Sequence, residues 1–193
     1  DCIPHPPLQG GVSCNIYDAV FMGRVDEAKG IYDLIPVVNN LRKQFPDFTL
    51  HIVGSGGLKT SKEEERFRME LKKRKVINHF VFHGYLRGID KFNLLANAKV
   101  FVLPSKSESF CVSLLEAVAC ATPAVAYNLP VFRKLYKNNE VITVPISNVD
   151  AFSSAVYSIL TSTSYINKQG YSLLSNHKFS YDYIAKREYD QFR

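Results

Sequence analysis

Short apolar runs recur along this chain with longer amphipathic segments between them, and that alternation leaves few folds open. Four- and five-residue apolar runs bounded by polar or turn residues are expected to be strands, at Ala19–Met22, Thr49–Val53, Phe80–His83, Val100–Leu103, Ala124–Tyr127 and Val141–Val144. Between them, apolar residues at helical spacing predict helices at Ile31–Phe45, Lys62–Lys75, Lys91–Asn97 and Val112–Cys120. Three more are expected beyond the sheet, at Val149–Leu160, Ser164–His177 and Tyr181–Arg193. This is the order of repeated βαβ units, so the fold class is α/β, a Rossmann-like parallel sheet with helices on both faces. Pro36 falls inside the first helical pattern, where it removes one backbone hydrogen bond and is expected to bend the helix.

The chain has 193 residues, 46% of them hydrophobic, enough to fill the core of one large domain. That domain is expected to span residues 18–193, after a tail or linker of 17 residues in which Pro4, Pro6, Pro7, Gly10 and Gly11 forbid regular pairing. The chain opens inside that tract without an initiator Met, so a longer parent with an N-terminal partner is expected. No run approaches the roughly 20 apolar residues a membrane-spanning helix needs, and the four cysteines show no paired spacing, which together suit a cytoplasmic protein. The net charge of +6 suits a phosphate-bearing ligand, an anionic membrane surface or nucleic acid, without choosing among them. Lysines and arginines in Lys62–Lys75 alternate with glutamates, as on a solvated helix. Tyrosines and phenylalanines follow the strand and helix patterns of a core, so nucleic acid is not expected as a partner.

The chemistry concentrates at strand-to-helix turns, where open α/β sheets bind ligands. One stretch runs from Ser105 to Ala117 and holds Glu108 and Glu116 around the start of a helix near Cys111. Free backbone N–H groups at such a helix start suit diphosphate oxygens, and a carboxylate on each side can accept hydroxyl hydrogens. Glu116 has an equally simple alternative as a helix acid. Gly23-Arg24 and Lys29-Gly30 flank the first strand-to-helix turn and place two cations beside flexible glycines. Gly54-Ser55-Gly56-Gly57 follows the second strand, but a dinucleotide fingerprint would need its third glycine at Lys59, and no P-loop motif occurs. His79 and His83 have the i, i+4 spacing of a metal pair, yet they straddle a strand rather than share a helix face, so no metal is expected. Cys111 has no evident base to make it a nucleophile.

Taken together, these segments resemble the C-terminal, donor-binding half of the retaining GT-B glycosyltransferases of family 4, in matching order over about 110 residues. The resemblance rests on Gly23-Arg24 with Lys29-Gly30, on Leu50-His51-Ile52-Val53-Gly54-Ser55-Gly56, and on Val81-Phe82-His83-Gly84-Tyr85. Glu108 with Glu116, followed by Leu115 through Ala126, completes it, and Phe179 through Ala185 is similar to the start of that family's final helix. The resemblance implies a hexosyltransferase-type enzyme using a nucleotide diphosphate sugar, without metal or other cofactor. Arg24 and Lys29 would grip the diphosphate and stabilise the leaving charge, and Glu108 would hold hydroxyls of the sugar; these three are the expected catalytic residues. Glu116 would hold the ribose, the backbone of Ser109, Phe110, Cys111 and Val112 would meet the phosphates, the base would lie near His83, Gly84, Tyr85 and Leu86 and the turn of Gly54, Gly56 and Gly57, and Gly23 would bind the donor beside Arg24. The implied acceptor is a glycan, lipid or polysaccharide, and the family's habits allow peripheral membrane contact. Two departures stand out: the family usually has glycine where this chain has Ser109 and Cys111, and Ala121 replaces a further common glycine. A half with the N-terminal GT-B domain missing is expected to bind donor and transfer poorly. A noncatalytic nucleotide-sugar-binding or interaction module of the same fold is the alternative reading.

Overall fold

The computed structural model describes residues 17–54, 57–136 and 141–162. Its strands are β1 (Tyr17–Met22), β2 (Leu50–Val53), β3 (Phe80–Gly84), β4 (Ala98–Leu103), β5 (Ala124–Tyr127) and β6 (Val141–Val144). They form one six-stranded sheet in the order β3-β2-β1-β4-β5-β6, every neighbouring pair parallel. Each expected strand is present, and β1 and β4 begin two residues earlier than their apolar runs suggest. The polar residues that mask those starts are paired: Asp18 accepts the Thr49 backbone N–H at 3.1 Å, and Lys99 donates to Asp18 at 2.7 Å.

The helices are α1 (Leu34–Leu41), α2 (Gly57–Lys73), α3 (Gly88–Ala96), α4 (Val112–Ala119), α5 (Pro130–Leu135) and α6 (Val149–Thr161). The central strands are buried along their length because helices cover them twice: α6 packs on β4, β5 and β6, while α3 and α4 pack on each other and on β4. Continuous burial is why these strands carry Val, Phe, Leu and Ala at successive positions rather than an apolar-polar alternation.

Helices α2 and α3 start at Gly57 and Gly88, ahead of the expected Lys62 and Lys91, and two expectations change in kind. The segment from Ile31 is not one bent helix; Ile31–Asp33 is a 3₁₀ turn and α1 starts at Leu34. Pro36 therefore stands in the first turn of α1, where its missing N–H would have no intrahelical partner, and it breaks nothing. The helix also ends at Leu41 instead of Phe45. Second, α5 is a helix that the periodicity does not show. On α2, Phe67 and Leu71 are fully buried and Arg68 reaches Glu64 at 2.8 Å, while Arg74, just past its end, reaches back to Glu70 at 2.6 Å. The helices expected at 164–177 and 181–193 lie outside the described residues. Among the described residues, no helix is long and apolar enough to cross a membrane.

Candidate functional site

The strand order reverses direction between β1 and β4, and the loops leaving their carboxyl ends open a crevice at that point. The backbone there is drawn tight. Gly54, after β2, has φ +127°, and a Cβ in its place would stand 2.0 Å from the carbonyl oxygen of Gly23 after β1. Gly30 has φ +70°, and its Cβ would meet the carbonyl oxygen of Pro104 at 1.9 Å. Only glycine permits both approaches. They bring the loop after β1 against its neighbours after β2 and β4.

Across the second of these contacts, Lys29 Nζ donates to Glu108 Oε1 at 2.6 Å, with the Glu108 side chain 7% exposed and that of Lys29 18%. The pair joins residues 79 positions apart. Arg24, by contrast, points outward, 66% exposed, and pairs with Asp26 at 3.2 Å. Asp26 also caps the 3₁₀ turn Glu27–Lys29 by accepting the Lys29 backbone N–H at 3.0 Å, so the cationic loop is rigidly shaped just where Lys29 leaves it.

Glu108 precedes α4, whose N-terminus has no side-chain cap. Its N-cap residue is Cys111, held at φ 67° and ψ 80° in the left-handed region. Ser109 is not among the positive-φ residues, so its side chain costs the backbone nothing comparable. Glu116, in the second turn of α4, accepts from Lys91 Nζ on α3 at 2.5 Å. Lys91 went unremarked in the sequence; its partner lies 25 positions away, and only the packing of α3 on α4 brings them together. Met22, Gly23, Arg24, Val53, Gly54, Tyr85, Leu86, Lys91, Val112, Ser113 and Glu116 line a cleft of about 420 Å³. The structure thus gathers Gly23, Arg24, Gly54, Tyr85, Leu86, Val112 and Glu116 around one space, with Lys29 and Glu108 joined nearby. Ser109 and Phe110 fall on the loop before α4, exposed and half-buried respectively, and Gly56 lies outside the described residues.

His83 does not face a metal partner. Its Nε2 shares a hydrogen bond of 2.7 Å with Nδ1 of His51, and the rings stack 5.0 Å apart, with Tyr17 edge-on to His51 at 4.7 Å. Burial pushes both imidazoles below their ordinary pKa, and for His51 the neighbouring His83 adds to the shift. His79 is engaged separately, through Nδ1 with the Phe48 carbonyl at 2.8 Å. Among the described residues, no group of three or more His, Cys, Asp or Glu could hold a metal ion. Burial also raises the Cys111 thiol, against a partly offsetting Ser113 contact, and carries Cys120 to about 11. Both are thiols at neutral pH and poor nucleophiles. Gly84 accepts the Gly54 backbone N–H at 2.7 Å, fixing the β3 loop beside the β2 loop.

A six-stranded parallel sheet in this order, with helices interleaved, matches the C-terminal half of a GT-B fold. The family model for glycosyl transferases group 1 matches residues 15–172, and the chain belongs to that family, the retaining GT-B glycosyltransferases of family 4. It is 32% identical over 144 residues to a phosphatidyl-myo-inositol mannosyltransferase from Mycobacterium leprae, covering 73% of this chain and 36% of that protein. A glycogen synthase from Mycobacterium tuberculosis is 29% identical over 144 residues, covering 74% of this chain and 34% of the enzyme. The chain thus spans about a third of the length of these relatives. Among solved structures, a TarM mutant from S. aureus in complex with Fondaparinux, alpha-GlcNAc-glycerol and UDP shares the fold with a TM-score of 0.79 at 18% identity, over 100% of this chain and 38% of TarM.

Proposed function

We propose that this chain is the donor-binding domain of a retaining glycosyltransferase, which moves a sugar from a nucleotide diphosphate sugar to a glycan, lipid or polysaccharide acceptor. The observation that carries the reading is the pair of lysine-bound carboxylates, Glu108 before α4 and Glu116 within it, around a helix N-terminus with no cap of its own. A sugar nucleotide asks for hydroxyl acceptors at the sugar and the ribose, with donors at the diphosphate between them. In this reading the diphosphate meets the first backbone N–H groups of α4, which carry the positive end of the helix dipole. Lys29 and Arg24 supply the charge that offsets the leaving diphosphate as the bond to the anomeric carbon breaks. Each lysine contact engages Oε1 of its glutamate, so Oε2 of Glu108 can accept from a sugar hydroxyl and Oε2 of Glu116 from the ribose. In this reading Tyr85 and Leu86, which line the cleft, flank the base. The acceptor, and the groups that activate it, belong in this reading to a second GT-B domain, with which the chain becomes a working hexosyltransferase.

Calorimetric titration with UDP, GDP and ADP, then with their sugar conjugates, with and without magnesium, tests the reading. UDP comes first because the TarM relative was solved with it. Magnesium-independent binding of one diphosphate is expected, weakened by about 1 to 3 kcal/mol in Arg24→Ala and in Lys29→Ala, the range for charge-assisted hydrogen bonds. Unchanged affinity in both variants would refute the phosphate assignment.

A further inference from the structure

We propose that Asp33 is a positioning residue, which holds the loop bearing Glu108 against the loop bearing Lys29 through Tyr127 and Lys106. Its functional consequence rests on the donor-site reading above; its geometric content does not.

Asp33 closes the 3₁₀ turn that leads directly into α1, with helical φ −71° and ψ −21° rather than the extended backbone of a capping residue, and its side chain makes no bond to that helix. Oδ2 instead accepts from Tyr127 Oη at 2.8 Å, a contact across 94 positions, and Oδ1 pairs with Lys106 Nζ at 3.5 Å. Tyr127 is the last residue of β5, fully buried, its ring fixed edge-on against Phe152 of α6 at 5.4 Å. Burial and the neighbouring carboxylate push its phenol far above the ordinary range, so it remains an O–H donor at any pH the fold meets. Asp33 is therefore anchored to the interior of the sheet on one side and pairs with Lys106 on the other.

Lys106 is held twice. Its backbone N–H donates to the carbonyl of Ala28, the residue before Lys29, at 3.0 Å, and its side chain reaches Asp33. The carboxylate to be positioned, Glu108, stands two residues further along the same loop. Gly30, following Lys29, packs against Pro104, which enters that loop. One polar bridge thus connects β5, the loop after β1 and the loop after β4, and the contact it brackets is the 2.6 Å pair of Lys29 with Glu108. A network whose members polarise and orient one another in a low-dielectric setting fixes geometry more tightly than isolated surface pairs do. Both carboxylate oxygens of Asp33 are engaged by this bridge, Oδ2 by Tyr127 and Oδ1 by Lys106.

The test uses the full 193-residue chain. Competitive acetylation with acetic anhydride, read lysine by lysine by mass spectrometry, compares the unmodified protein with Asp33→Ala, Asp33→Asn and Tyr127→Phe. Lys29 and Lys106 should label several-fold faster in Asp33→Ala and to an intermediate degree in Asp33→Asn, which keeps an acceptor for Tyr127 and loses the charge for Lys106. Lys99, paired with Asp18 at the amino ends of β1 and β4, should keep its rate. An unchanged Lys29, or Lys29 and Lys99 rising together as in general loosening, overturns the proposal. Should Asp33→Ala fail to fold, Tyr127→Phe, which removes one hydroxyl, carries the same comparison. The diphosphate titration run on the same proteins separates the two readings. If the unmodified chain binds no diphosphate while Lys29 labelling still responds to Asp33, the donor site fails and the positioning role stands. If it binds a diphosphate and Asp33→Ala alters neither affinity nor Lys29 labelling, the positioning role fails alone.

Discussion

Replacing Cys111 by glycine and, separately, by alanine isolates the backbone of the α4 N-terminus from the chemistry of the thiol, since both variants lose the sulfur. At φ 67° and ψ 80° a side chain at 111 crowds the backbone, which costs roughly 1–2 kcal/mol for any residue with a Cβ. Glycine releases that cost but gives the unfolded chain more freedom, worth roughly 0.4–1 kcal/mol against the fold. The difference leaves Cys111→Gly more stable than Cys111→Ala by about 1 kcal/mol. At an ordinary helix or strand position the order is reversed, alanine being better by roughly 0.5–1 kcal/mol. The sign is therefore the readout. In urea unfolding the glycine variant should show the higher midpoint, and in thermal melts it should lead by roughly 2–4 °C for a protein of this size. If the alanine variant matches or exceeds it, the left-handed cap is relieved in solution and the argument from strain is wrong.

The same reasoning applies at the other end of α4, where Ala121 has φ 57° and its N–H and that of Thr122 bond back to Val118 and Ala117. Ala121→Gly should stabilise by about 0.5–1 kcal/mol in urea unfolding, as glycine does after a helix end. Lys29→Met leaves the Glu108 carboxylate buried without its cation and should cost about 3 kcal/mol. The double variant Lys29→Met/Glu108→Leu should recover much of that loss, and additive losses in the cycle would count against the pair. The histidine pair predicts a pH effect. Both folded-state pKa values are depressed, so the unfolded chain binds protons more readily; stability should be full above about pH 6.5 and fall as the pH drops toward the folded values. His51→Gln should flatten that fall in urea titrations between pH 7 and 5, and an unchanged slope would exclude the pair as its source.

Much of the sheet was legible because burial on both faces writes itself as uninterrupted apolar runs; Ala124-Val125-Ala126-Tyr127 could hardly be anything else. Strand starts were less legible, since Asp18 and Lys99 satisfy each other across β1 and β4 and need no solvent face. The short helix α5 has too few residues to show periodicity, although Pro130 at its first position is a start signal that was there to be used. At the site, Glu108, Glu116, Lys29 and the odd side chains at 111 and 121 were visible as local pattern. Lys91 and Asp33 were not, because their partners, Glu116 and Tyr127, are reached only through helix packing and strand order. Spacing alone also suggested a histidine pair of 79 and 83; the parallel register of β2 and β3 sets His51 opposite Val81, two residues before His83, and it is His83 whose ring reaches His51.

Three cations around the crevice arrive already matched. Arg24 has Asp26, Lys29 has Glu108 and Lys91 has Glu116, three positive charges against three negative ones. Despite the chain's overall +6, these residues present almost no net field at the mouth of the cleft. A dianion would therefore gain little long-range electrostatic steering from these three pairs. In the donor-site reading, discrimination falls to short range, where Oε2 of each glutamate is left to accept a hydroxyl while its lysine stays on Oε1.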